Sequence, residues 1–203
     1  MPGRLAVPAG VILAGGRSRR MGGVNKALLP LSGKPLLQHV IDRVRPQVCE
    51  LYLSVEAPTD ALAEFGLPQV MDPEPDAGPL AGLMSVLQKT APGNEWLLLA
   101  PCDAPFIPRD LATRLLASAL QSRSPGAVVH YLSEPQPTFS IWNRSLLPRL
   151  EQAVVSEKMT GFKQFLRVIE PAVLDWPGSE PPPFFNINDR DALRKAGSLL
   201  ETA

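Results

Sequence analysis

The sequence predicts an α/β fold built on a mostly parallel sheet. Two observations carry that reading. Short apolar runs recur along the chain, and most are followed by a segment whose apolar residues fall at helical spacing. The most apolar run, Trp96-Leu-Leu-Leu-Ala100, reads as a central strand. Such alternation builds βαβ units, whose right-handed crossovers place helices on both faces of the sheet.

Residues 10–14 (Gly-Val-Ile-Leu-Ala) form the first expected strand. A helix follows over 35–44, where Leu36, Leu37, Val40, Ile41 and Val44 share one face and Pro35 takes the first helical position. Residues 51–55 are a second strand, and Thr59 caps a short helix ending before Gly66. A third strand spans 68–71, and a helix spans 80–89 with Leu80, Leu83, Met84 and Leu87 inward. After the central strand, 109–121 is helical, with Asp110 as its cap. Residues 127–131 and 137–142 are strands joined through Ser133-Glu-Pro135. Helices over 146–155 and 161–168, a last strand at 184–187 and a helix capped by Asp189 complete the chain. Ligands of such sheets bind outside the carboxyl ends of the strands. The loops after Ala14, Val55, Met71 and Ala100 are therefore the expected functional rim.

The length of 203 residues suits one domain, taken as 1–203. Lysine plus arginine and aspartate plus glutamate number 20 each, and this balance speaks against a nucleic-acid partner. The 23 prolines fall mostly singly at element boundaries, which reads as rigid loops. Two cysteines, Cys49 and Cys102, make no disulfide framework. No secretory pattern opens the chain, and no apolar run approaches the roughly 18 residues that span a bilayer. A soluble cytoplasmic protein with no membrane partner is expected.

The stretch Leu13-Ala-Gly-Gly-Arg-Ser-Arg-Arg-Met-Gly-Gly23, with Lys26 after it, breaks an apolar strand into glycines and arginines. Glycine lets an anion reach backbone N–H groups, and guanidinium and ammonium groups neutralise it. The stretch reads as a triphosphate cradle, or as an ordinary turn whose arginines face water. It fits neither the P-loop nor the dinucleotide fingerprint. Asp103, in Pro101-Cys-Asp-Ala-Pro105, ends the central strand, where a carboxylate suits Mg²⁺ or a turn cap. Cys102 is a nucleophile by type, without a nearby histidine, and reads better as a small buried residue. Asp72 ends another strand before Gly78-Pro-Leu-Ala-Gly82, a pair of glycines that admits a base or ribose, or makes a simple strand-to-helix turn. Asn186 and Asn188 alternate, so a strand points both to one side; they suit a polar ligand or a turn before the last helix.

Taken in order, Leu13-Ala-Gly-Gly, Arg20-Met-Gly-Gly, Lys26, Gly33-Lys-Pro-Leu-Leu37, Gly78-Pro-Leu-Ala-Gly82, Pro101-Cys-Asp103, Gln136-Pro137 and Asn186-Ile-Asn188 resemble the molybdenum cofactor guanylyltransferases, within the nucleotidyltransferase superfamily. The resemblance runs from about residue 10 to residue 195. It implies a Rossmann-like three-layer sandwich of the nucleotide-diphospho-sugar transferase type. It implies GTP as co-substrate, Mg²⁺ as metal, molybdenum-molybdopterin as acceptor, and other cofactor-biosynthesis or target proteins as further partners. It places Leu13, Ala14, Gly15, Gly16, Ser54, Asp72, Gly78 and Gly82 at the nucleotide, Lys26 and Arg20 at the phosphates and Asp103 at the metal. Lys158, Lys163, Asn186 and Asn188 fall on the pterin side. The Gly15-Gly16 pair marks the guanine type, because the related cytidylyltransferases carry a second alanine there. Two positions depart from the family: Asn25 stands where an aspartate is common, and Ser54 where an asparagine is. The implied reaction is Mg-dependent guanylyl transfer with release of pyrophosphate. The alternatives are cytidylyl or other nucleotidyl transfer to a phosphorylated acceptor, and a non-catalytic nucleotide-binding module.

Overall fold

A computed structural model describes residues 6–15, 25–71 and 78–201. Seven strands form one sheet: β1 (Ala9–Leu13), β4 (Leu51–Val55), β5 (Gln69–Met71), β6 (Trp96–Pro101), β7 (Gly126–Tyr131), β8 (Glu134–Asn143) and β9 (Ala172–Trp176). Their order is β5-β4-β1-β6-β8-β7-β9. Neighbours from β5 to β6 are parallel, β8 is antiparallel to both β6 and β7, and β9 is parallel to β7. A small hairpin, β2 (Pro30–Leu31) and β3 (Lys34–Pro35), stands apart from the sheet.

Helices cover both faces, because strand side chains alternate between them. On one face α1 (Leu36–Val44) and α4 (Leu111–Gln121) bury Val40, Val44, Leu111 and Leu115 against Ile12, Leu53, Leu98 and Ile141. On the other, α3 (Pro79–Lys89), α5 (Leu147–Glu151) and α6 (Phe162–Ile169) pack on Val11, Leu97, Leu99 and Trp142. Each fully buried side chain of this size contributes about 1.5–3 kcal/mol of transfer free energy. Trp142 is fully buried and still satisfied: its ring stacks on Phe162 at 6.3 Å, and its Nε1–H donates to Ser140 Oγ at 2.8 Å. A short helix, α2 (Asp60–Ala63), is capped by Thr59 Oγ1 as expected.

The final helix, α7 (Arg190–Glu201), belongs to neither layer. It joins the hairpin in a separate apolar cluster of Leu31, Leu36, Phe106, Ile187 and Ala196. Asp189 caps it, its Oδ1 accepting from Ala192 N at 2.8 Å.

Three expectations need correction. Residues 184–187 are not a strand; they run irregularly, held by Phe184 among aromatic rings and by buried Ile187. The last strand is instead Ala172–Trp176 at the sheet edge, where exposed Val173 and Asp175 break the apolar pattern that marks inner strands. The helix expected over 146–155 is α5 followed by a π turn, Gln152–Ser156. Asp110 makes no side-chain cap on α4; Gln47 Oε1 accepts from Ala112 N at 2.9 Å in its place.

Candidate active site

Strands β1 and β6 lie side by side where the strand order reverses direction. From β1 the chain proceeds outward through β4 and β5, then returns to place β6 on the opposite side. Their carboxyl ends open a crevice at that point. Leu13 is in register with Pro101 on one side and Ser54 on the other. Cys102 N donates to Leu13 O at 3.1 Å, and Ala14 N to Ser54 O at 2.8 Å. Three segments far apart in sequence thus meet at one rim.

Gly15 ends the described part of the glycine-arginine stretch, and a Cβ there would stand 3.1 Å from Glu56 N. The absence of a side chain lets the strand end pass close to the β4 loop. Gly16, Arg20 and Asp72 lie outside the described residues. Ser54 is buried at the end of β4.

Lys26 opens a short 3₁₀ turn, Lys26–Leu28. Asn25 precedes it, and its Oδ1 accepts from Ala27 N at 3.0 Å. Here the departure from the common aspartate keeps the cap, since an amide oxygen accepts as a carboxylate does. Lys26 Nζ reaches two acceptors: Asp103 Oδ2 at 3.1 Å and Asn188 Oδ1 at 2.8 Å. The Lys26 and Asp103 side chains are 20% and 15% exposed, so the pair is sheltered yet reachable by solvent and ligand. Behind it, Ile187 N donates to Asp103 O at 2.9 Å, tying the C-terminal segment to the loop after β6.

Cys102 is buried beside this pair. Burial first, and the neighbouring Asp103 charge second, push its thiol up to about 12. At neutral pH it is a thiol, too weakly ionised to serve as a nucleophile. It fills space, as the sequence suggests.

The remaining expected residues are more dispersed. Gly78 precedes α3 with a φ of 76°, and a Cβ there would press on the Thr160 backbone. Close approach is thus made by this chain's own 160 loop. Gly82 is buried inside α3. Asn186 carries a buried Oδ1 with no hydrogen-bond partner among the described residues. Lys158 is exposed, after the π turn. Lys163 is exposed on α6, lining a groove of about 420 Å³ with His130, Leu166 and Arg167. Neither lysine bonds to Lys26 or Asp103 in the described contacts. Sequence reasoning missed the pairing of Lys26 with Asn188 and the contact of Gly78 with Thr160; no sequence spacing signals either.

Residues 10–173 match the family profile described as the MobA-like NTP transferase domain. The molybdenum cofactor guanylyltransferase of Nitrobacter hamburgensis is 36% identical over 194 residues, covering 94% of this chain and 93% of that protein. The enzyme of the same name from Yersinia pestis is 40% identical over 150 residues, 72% of this chain and 73% of that protein. Among solved structures, molybdopterin-guanine dinucleotide biosynthesis protein A from Archaeoglobus fulgidus superimposes with a TM-score of 0.77. It is 21% identical, with 96% of this chain and 100% of that chain covered, so it speaks to the fold.

Proposed function

Because the chain belongs to the MobA-like NTP transferase family, we propose that it transfers GMP from GTP to molybdenum-molybdopterin, forming the guanine dinucleotide cofactor and releasing pyrophosphate. The observation that carries this reading is the meeting of Lys26 and Asp103 at the crevice between β1 and β6. A cation and a carboxylate at that place suit a nucleoside triphosphate.

The phosphate of molybdopterin attacks the α-phosphorus of GTP. A P–O bond forms there as the bond to the bridging oxygen breaks, and its electron pair leaves with pyrophosphate. The attacking phosphate is already anionic, so no general base is needed. The protein's part is alignment and charge neutralisation. Lys26 and Arg20 neutralise the leaving pyrophosphate. Leu13, Ala14, Gly15 and Gly16 offer backbone to the nucleotide, and Ser54 and Asp72 border it, while Gly78 and Gly82 act through the packing of α3 rather than by contact. Asn186 stays on the proposed pterin side by the family resemblance; its Oδ1 is buried and has no hydrogen-bond partner among the described residues. Lys158 and Lys163 remain on the same proposed pterin side.

Asp103 is the residue that would hold Mg²⁺. The described residues hold no group of three metal-ligating side chains. One carboxylate fits an ion that keeps phosphate oxygens and water as its other ligands. When bound, it supplies Lewis-acid polarisation of the α-phosphate.

No described helix is long and apolar enough to cross a membrane. We place the enzyme in the cytoplasm, as one domain over 1–203, where GTP is met. The test is pyrophosphate release with Mg²⁺ and molybdenum-molybdopterin, in parallel with GTP, CTP and ATP. Release with GTP alone supports guanylyl transfer. Release with CTP keeps the chemistry and overturns the base. GTP binding without release from any nucleotide favours a binding module.

A further inference from the structure

We propose that Asn188 is a positioning residue that holds the Lys26 ammonium in place for the triphosphate, a proposal that rests on the nucleotidyl-transfer reading above. An ammonium has three N–H donors. In the structure two are directed to Asp103 Oδ2 at 3.1 Å and Asn188 Oδ1 at 2.8 Å. Among the described residues the third has no acceptor, which leaves it for an incoming anion.

A lysine paired with a carboxylate alone lies along one line of attraction, and its four-carbon stem is free to swing. A second acceptor fixes the ammonium between two points. The chemistry of that acceptor matters. The Asn188 amide is neutral, so Lys26 and Asp103 together carry no net charge. A carboxylate at 188 would give the trio a net negative charge and repel a triphosphate. An amide steers the ammonium without that cost.

Asn188 itself is well anchored. On its amino side Ile187 is fully buried, and its N–H donates to Asp103 O at 2.9 Å. On its carboxyl side Asp189 caps α7 through Ala192 N. The asparagine sits between a buried plug and a helix cap, within two residues of both. The C-terminal segment is thereby part of the phosphate site, although its residues come last in the chain.

The test is a double-mutant cycle read by GTP binding, titrated calorimetrically without acceptor. Asn188→Ala should weaken GTP binding about tenfold, the loss of one hydrogen bond to a charged group. In a Lys26→Ala background the same substitution should have no further effect, since the ammonium it positions is gone. Equal losses in both backgrounds would assign Asn188 a local structural role and overturn the proposal. So would undiminished binding in Asn188→Ala. Asn188→Ser, which truncates the amide and keeps a polar side chain, serves as the second variant, with thermal unfolding confirming an intact fold. The cycle is run with CTP alongside GTP. A parent protein that binds CTP and not GTP overturns the base assignment alone, and the cycle is then read on CTP.

Discussion

Lys26 Nζ lies 3.1 Å from Asp103 Oδ2, although 77 positions separate the two residues in the chain. The contact joins a 3₁₀ turn after β1 to the loop after β6. It brings one cation and one anion to the crevice proposed for the phosphates. Asp103→Ala removes the anion. It should cut pyrophosphate release by about 10²–10³-fold, the usual loss of an electrostatic contact to the transition state, since on the proposed reading the cation that neutralises the phosphates is no longer held. The far-ultraviolet circular dichroism and the thermal transition should remain those of a folded protein. Undiminished release would remove Asp103 from the reaction.

Gly78 is held at a φ of 76° with Thr160 against its open side. Gly78→Ala should lower stability by at least about 1–3 kcal/mol, since an L-residue is strained there and its methyl meets the Thr160 backbone. In a chain of this size each kcal/mol lowers Tm by about 2–4 °C. Calorimetry of the substituted protein checks this. An unchanged Tm would show that the loop before α3 relaxes freely.

Two groups make the fold sensitive to alkali. Burial raises the Cys102 thiol from 9.0 to about 12. Burial, then a hydrogen bond to Glu50, raises the Tyr52 phenol from 10.0 to about 12. Both are easier to ionise once the chain unfolds. Their contribution is intact below about pH 9 and is lost as pH rises toward about 12. Tm measured between those limits should fall with pH. Cys102→Ala should flatten the slope beginning near 9.0, leaving the tyrosine's part. Among the two cysteines, exposed Cys49 should react with a thiol reagent in the native protein and Cys102 only after denaturation.

Phe184 fixes the start of the segment that carries the asparagines. Its ring meets Phe139 at 4.7 Å, Trp176 at 5.4 Å and Tyr131 at 5.5 Å, each edge to face. Phe184→Ala should cost about 3–5 kcal/mol by urea denaturation, as for other buried phenylalanines. A loss under about 1 kcal/mol would mean that the three rings close the gap.

Much of the site was legible in the sequence because strand ends announce themselves. Leu13 ends one apolar run and Asp103 follows another, and the βαβ rule puts such ends on one edge. The layers were legible for the same reason: α1 and α4 declare their inner faces by spacing. The reversed strand β8 was not readable as an insertion between β6 and β7, since nothing local fixes strand order. Edge strand β9 went unseen because Val173 and Asp175 face solvent. Asn188 was readable as polar and near a helix cap, yet its partner Lys26 is 162 positions away. Gln47, which caps α4 across the α1 side of the sheet, illustrates the same limit: long-range pairing leaves no local trace.

The proposed holding of Lys26 by Asn188 also orders events in time. A chain grows from its amino end, and β1, Lys26 and β6 are all made before the segment that carries Asn188 and α7. A nascent chain therefore holds Lys26 and Asp103 with nothing to set the ammonium between them. Stopping synthesis short of Asn188 would leave the sheet and its two layers of helices in the product, with a phosphate cradle open on one side. Competence for GTP would arrive late in synthesis, with the docking of the C-terminal helix.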